Sequence, residues 1–185
     1  TSQVTTMRTM FQNCSNLINL DVSNWDTRQV TDVSHMFFGC TNLTTLTLEN
    51  VTSLDVYSFN NCRGLTQINL PKGLTSLDSS FVNCSEVVNL YLPSSLRSSN
   101  NAFLNMTKLE NVYYNGTFND WLNIFFTSFE SNPMAYAKNL YVLDNENNYV
   151  LVENINIPSN IDTIGSYQLA GLNVQEVVIP NTVTY

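Results

Sequence analysis

The chain has 185 residues, 43% hydrophobic and only 12% charged, with a net charge of −8. Seven Lys plus Arg, spread thinly, do not make the basic face with which a nucleic-acid binder displaces counterions, and the same deficit disfavours an anionic membrane surface. No apolar run reaches the roughly 20 residues that span a bilayer, so membrane insertion is not expected.

From the N-terminus onward the sequence repeats. Phe11, Phe37, Phe59, Phe81 and Phe103 are separated by 26, 22, 22 and 22 residues. Three residues after each stand Cys14, Cys40, Cys62, Cys84 and Met106, then Leu17, Leu43, Leu65, Val87 and Leu109. Further apolar columns follow at Leu20, Leu46, Ile68, Leu90 and Val112, and at Val22, Leu48, Leu70, Leu92 and Tyr114. Each unit reads Phe-x-x-Cys-x-x-Leu-x-x-Leu-x-Leu. The last two apolar residues lie two apart, so both face inward from a short strand. One such unit cannot bury its own apolar face, whereas stacked units bury a shared one. This pattern predicts a leucine-rich-repeat solenoid of the α/β class. It is a right-handed horseshoe with a parallel concave sheet, and with short strands, turns or short helices on the convex side.

Upstream of each Phe a second apolar pair (Val4 with Met7, Val30 with Val33, Leu74 with Leu77) is expected to form the convex return leg. The unit at Val51 and Leu54 carries one extra residue, which predicts a small bulge. Two residues after each Phe only Asn or Gly occurs: Asn13, Gly39, Asn61, Asn83, Asn105 and later Gly171. Those residues tolerate positive φ, so a left-handed turn is expected there. Pro71, Pro93, Pro158 and Pro180 follow strands and should end the ladder at that edge.

The regular step breaks after Val112 and resumes at Ile155 and Val177. Between them, residues 118–126 have the apolar density of a short buried helix. Pro133 suits the opening of a helical turn through Tyr136. Leu140–Leu143 and Tyr149–Val152 flank a polar loop and predict a β-hairpin. Residues 116–152 are read as a variant repeat with a hairpin excursion inside a single domain over 1–185, itself a fragment of a longer array. In the last unit Leu169 and Leu172 replace Phe and Cys, and one residue is missing before Val174.

At this point the residues carry a resemblance. The unit Val30-Thr31-Asp32-Val33-Ser34-His35-Met36-Phe37-Phe38-Gly39-Cys40, preceded by Asn24-Trp25-Asp26-Thr27, resembles the 26-residue repeats of BspA-like bacterial surface proteins. Ile157-Pro158 followed by Ile161-Asp162-Thr163-Ile164-Gly165 resembles that family's shorter Pro-containing repeats. The interrupting segment, from Trp121-Leu122 through Asn132-Pro133 to Leu140-Tyr141-Val142, is similar to a module found between such repeats. The resemblance implies a secreted or cell-surface protein of host-associated bacteria. It further implies adhesion or host-protein binding, with no catalytic residues and no cofactor.

Few residues offer chemistry. The four cysteines share a column with Met106 and Leu172, so the position asks for apolar volume and buried free thiols are expected, with disulfides or a metal as the weaker readings. His35, the only histidine, reads as a polar convex-surface residue. Asp55 and Asp78, on adjacent coils, are the one carboxylate pair placed for glycan hydrolysis, and read otherwise as turn residues. Asn-x-Ser/Thr sequons at Asn13, Asn42, Asn50, Asn83, Asn105 and Asn115 follow from composition and would matter only in a eukaryotic source.

The solvent face of the concave sheet is the candidate binding surface. It should present Asn19 and Asp21, Thr45 and Thr47, Gln67 and Asn69, Asn89 and Tyr91, Asn111 and Tyr113, Asn154 and Asn156, then Glu176 and Val178, with Glu49 at the end of its strand. Tyr91 and Tyr113 are 22 residues apart and should lie side by side. Rigid aromatics among adaptable amides suit recognition of a surface protein or glycan. Tyrosine also favours strands for reasons of its own. The expected role is a non-enzymatic, extracellular recognition or adhesion module. A polysaccharide-cleaving solenoid and a structural spacer are the alternatives, and end-to-end self-association through uncapped coils is a further expectation.

Overall fold

The computed structural model describes residues 3–22, 24–26, 29–47, 54 and 56–184. Thr27, Leu48, Glu49, Asn50, Asp55 and the extra residue expected near Val51 lie outside them. The strands are β1 (Asn19–Asp21), β2 (Thr45–Thr47), β3 (Gln67–Asn69), β4 (Ser76–Asp78), β5 (Asn89–Pro93), β6 (Ser98–Asn100) and β7 (Asn111–Asn115). After a one-turn helix α1 (Phe118–Trp121) come β8 (Phe125–Phe126), β9 (Asn139–Leu143), β10 (Tyr149–Leu151), β11 (Asn154–Asn156) and β12 (Glu176–Val178). Short 3-10 turns occupy Phe129–Ser131 and Pro133–Ala135.

The chain is a solenoid of stacked coils. Strands β3, β5, β7 and β9 pair in parallel as the main sheet, and the convex return legs form a second parallel sheet, β4–β6–β8. The pairs β1–β2 and β11–β12 repeat the main-sheet arrangement at either end. The convex side is thus built mainly from short strands and turns, with α1 and two 3-10 turns in the variant coil.

Between the two sheets the repeated side chains pile into columns. Phe11, Phe37, Phe59 and Phe81 stack ring on ring, with centroids 5.3, 5.1 and 5.2 Å apart and planes within 13°. Each such aromatic contact adds about 0.5–1.5 kcal/mol beyond its buried area. Cys40, Cys62 and Cys84 are wholly buried and free, while Cys14, over which no described coil lies on the outer side, is exposed. The thiols do more than fill space. The Sγ of Cys40, Cys62 and Cys84 lies 3.0, 3.0 and 3.2 Å from the carbonyl oxygen of the Phe in the preceding coil, Phe11, Phe37 and Phe59. Each donates a weak hydrogen bond that a methionine or leucine at this position lacks.

The Asn/Gly column has the expected backbone. Asn13, Gly39, Asn61, Asn83, Asn105 and Gly171 all have φ between 59° and 76°. A second left-handed column lies four residues upstream at Thr9, His35, Tyr57, Ser79, Asn101 and Tyr167, with φ between 47° and 63°. The N–H groups of Thr9, His35 and Ser79 donate to the next coil, and the carbonyls of Thr9, His35 and Tyr57 each accept from the residue three positions on. At Thr9 and His35 both bonds are made, and together they hold the residue where sterics alone would not. His35 is therefore not the plain surface residue its polarity suggests. Its ring is half-buried between Phe38 and Tyr57, and its Nδ1 is enclosed without a hydrogen-bond partner.

Two further expectations change. The carbonyls of Pro71, Pro93, Pro158 and Pro180 accept from Leu74, Leu96, Ile161 and Val183, so each proline opens a turn, and Pro93 still holds a ladder register with Asn115. The helix expected over residues 118–126 stops at Trp121, and Phe125–Phe126 join the convex sheet through β6 instead.

Phe59→Ala should lower the unfolding free energy by about 3–5 kcal/mol, because the cavity would open in the middle of the ring stack; a urea titration measures this. Burial pushes the Cys40 thiol up to about 11 and that of Cys84 to about 12, from a usual value near 9, and raises Cys62 as well. A folded-state value above the unfolded one means stabilisation that is full below about pH 9 and is lost as pH rises through the folded values. A thiol reagent should label Cys14 in the native protein, and Cys40, Cys62 and Cys84 only on unfolding or in strong alkali.

Candidate functional site

The solvent face of the main sheet carries two parallel rows of side chains. Strict alternation along each strand sends Leu90, Val112 and Leu140 into the core and their neighbours outward. The register places Asn89 beside Asn111 and Asn111 beside Asn139, and Tyr91 beside Tyr113 and Tyr113 beside Tyr141. Tyr91 and Tyr113 stack with centroids 4.6 Å apart, and Tyr113 and Tyr141 at 4.8 Å, with planes within 12°. The asparagines are chained: Asn111 Nδ2 donates to Asn89 Oδ1, and Asn139 Nδ2 to Asn111 Oδ1, each at 2.9 Å.

Asn139, Tyr141 and Tyr149 were missing from the sequence-based surface. The first two repeat the Asn-apolar-Tyr triplets of Asn89-Leu90-Tyr91 and Asn111-Val112-Tyr113, but 28 residues after Asn111 instead of 22. That triplet was the available signal. Tyr149 comes from β10, which turns back antiparallel along β9. Its ring meets that of Tyr113 at 5.2 Å and 70°, and its hydroxyl donates to Asn115 Oδ1. Both faces of Tyr113 are already covered, so it is the Tyr113 edge that meets the face of Tyr149. The Tyr113 phenol is pushed above its usual value by burial and by Tyr91 and Tyr141, and that of Tyr149 by burial and by Tyr91 and Tyr113. Both therefore remain hydroxyl donors at neutral pH.

Gln67 and Asn69 extend the face on β3, where Gln67 Nε2 donates to Asn69 Oδ1 at 3.1 Å. Asp21 lies exposed on β1, in a separate strand pair. Asn154, Asn156, Glu176 and Val178, expected to continue the same face, sit on the separate β11–β12 pair. The reason is local: β10 pairs with the outer edge of β9, where the next parallel strand would have joined. Beside the asparagine row, a hollow of about 400 Å³ is lined by Val88, Glu110, Tyr136 and Lys138, among others. Val88, Glu110 and Lys138 immediately precede Asn89, Asn111 and Asn139. The two lysines at this hollow are ion-paired, Lys108 to Glu86 at 2.6 Å and Lys138 to Glu110 at 3.1 Å.

Elsewhere the candidate chemistry has structural roles. Asp78 Oδ1 accepts from Ser79 Oγ and Asn100 Nδ2, which makes it a turn-holding carboxylate on the convex side. No group of ligating side chains placed to hold a metal occurs among the described residues.

The repeat geometry and the columns it produces point to one family. A model of the BspA-type leucine-rich repeat region matches residues 4–134 and 141–185, in six copies. The chain belongs to the BspA-type leucine-rich repeat family. No curated protein matches it in sequence. The solved structure of a leucine-rich repeat protein from Bacteroides ovatus is similar to this BspA-type chain, with a TM-score of 0.52 and 16% identity over 98% of this chain and 48% of that one. A T. pallidum leucine-rich repeat protein is similar at a TM-score of 0.49 and 18% identity, over 91% of this chain and 59% of that one. A leucine rich cell surface protein from Faecalibacterium prausnitzii gives a TM-score of 0.38 and 16% identity, over 90% and 59%. At 16% identity the likeness to the Bacteroides ovatus protein concerns the fold alone, and the chain spans between 48% and 59% of the length of the three proteins.

Asn111 bridges both amide rungs. Asn111→Ala should cost about 1–2 kcal/mol of stability, since it leaves two half-buried amides short of a partner. Urea unfolding gives the energy, and the spectrum of the flanking Asn side-chain amides gives the loss of the rungs.

Proposed function

We propose that this BspA-type chain is a non-enzymatic recognition module, secreted or held at the bacterial cell surface, that binds its ligand on the concave face of the main sheet. The observation that carries this reading is the ladder of Tyr91, Tyr113, Tyr141 and Tyr149 beside Asn89, Asn111 and Asn139. Core packing does not require tyrosine there, because the apolar work is done by the opposite face of the same strands. Stacking on one another leaves these rings rigid, so they lose little conformational freedom on contact with a ligand, and the amides beside them adapt their hydrogen bonds. Gln67 and Asn69 widen the face. No helix among the described residues is long and apolar enough to cross a membrane, so attachment at a surface would rely on something other than these coils.

The test is the Tyr91→Ala/Tyr113→Ala double variant. It should weaken binding of a cognate surface ligand at least tenfold while the phenylalanine-stacked core stays folded, with the unfolding midpoint lowered only by the lost ring contacts. Undiminished binding would place the interface elsewhere on the solenoid.

A further inference from the structure

We infer that the ligand of this face is a neutral glycan lying across the strands along the tyrosine and asparagine rows, an inference that rests on the recognition reading above.

Size argues first. The ladder with its flanking amides covers strands β3, β5, β7, β9 and β10, which lie about 4.8 Å apart, and is about three residues deep, so its footprint is on the order of 250 Å². A stable protein–protein interface needs about 800 Å² from each partner. The ladder is several times too small for that, and is the size of a few sugar rings.

Charge argues next. Gln67, Asn69, Asn89, Asn111, Asn115 and Asn139 are amides, and the remaining members of the ladder are phenols. The only cations at the adjoining hollow are already matched to Glu86 and Glu110. In a chain of net charge −8, such a face repels sulfated and uronic chains and accepts neutral ones.

Geometry supplies the third point. The stacked faces of Tyr113 are closed to a ligand, but among the described residues two aromatic faces of the ladder carry no further ring. One is the side of Tyr91 turned toward the short Asn69. The other is the outer side of Tyr149, whose residue is 38% exposed. The C–H bonds on one face of a pyranose carry partial positive charge and pack against the negative face of such a ring. Between these two faces, phenol hydroxyls and amides repeat at the strand spacing, a distance comparable to one hexopyranose unit. Each sugar in turn meets a donor and an acceptor. The hollow beside the asparagine row leaves room for the substituents of the same chain.

The experiment is a calorimetric titration of this chain with cello-, laminari-, malto-, manno- and chito-oligosaccharides of increasing length. Heparin and oligogalacturonate serve as anionic probes, and recombinant non-glycosylated host surface proteins as protein probes. One neutral series is expected to bind, with affinity rising with length and then levelling off. Tyr149→Ala and Tyr91→Ala are each expected to weaken it about tenfold while the protein remains folded at the titration temperature, and Asn111→Asp to weaken it as well. Binding of a protein probe only, lost in the tyrosine variants, overturns the glycan inference and leaves the recognition face standing. Glycan binding that the variants do not alter overturns both. Preference for the anionic chains, or no binding of any neutral series at millimolar concentration, overturns the inference.

Discussion

The structure depends on one constraint: a single coil has no interior, so every coil must be completed by the next. The phenylalanine stack meets that demand most directly, since Phe37 and Phe59 are each covered by the rings above and below. The cysteine column adds direction to it. A thiol small enough to lie between coils also reaches back to the carbonyl that the preceding phenylalanine leaves partly unsatisfied. The main sheet is a consequence of this arrangement, because coils held at ring-stacking distance are close to the spacing at which parallel strands pair.

Much of this was legible in the sequence, and for a simple reason. Where neighbouring coils make the same contact they need the same side chain, and Phe, Cys and Leu recur at a fixed step. The Asn/Gly column was legible because a positive φ narrows the choice of residue. The second left-handed column was not, because residue type does not mark it: threonine, histidine, tyrosine, serine and asparagine all occupy it, and at Thr9, His35 and Ser79 it is an N–H bond to the next coil that holds the backbone. Ile124 to Phe126 misled by density alone, since a short apolar run does not distinguish a buried strand from a buried helix.

The proposed binding face was half legible. Tyr91 and Tyr113 follow from the regular step, and their stacking matches the register. Tyr141 was hidden by six additional residues in its coil, and Tyr149 by the reversal of the chain. The coil that carries Tyr141 is also the one whose interior departs most from the repeat. There Trp121 Nε1 donates to the carbonyl of Gln168, Gln168 Nε2 donates to those of Leu122 and Ile124, and Asn132 Nδ2 donates to Tyr167. A buried polar network joins the variant coil to the next one where a ring stack would otherwise have done so. Gly171 belongs to this junction, since a Cβ there would lie 2.2 Å from the carbonyl oxygen of Met134.

The turned-back strand β10 has a mechanical meaning for the solenoid. In an uninterrupted array, ordering spreads from coil to coil through the backbone ladder, and each interface supports the next. By occupying the edge of β9, the hairpin removes that ladder at one step. Cooperativity between the coils on its two sides then travels along the opposite wall, through Trp121, Asn132 and Gln168. The array is thereby divided into two zippers joined at a polar rivet, and the tyrosine ladder stands at the end of the first.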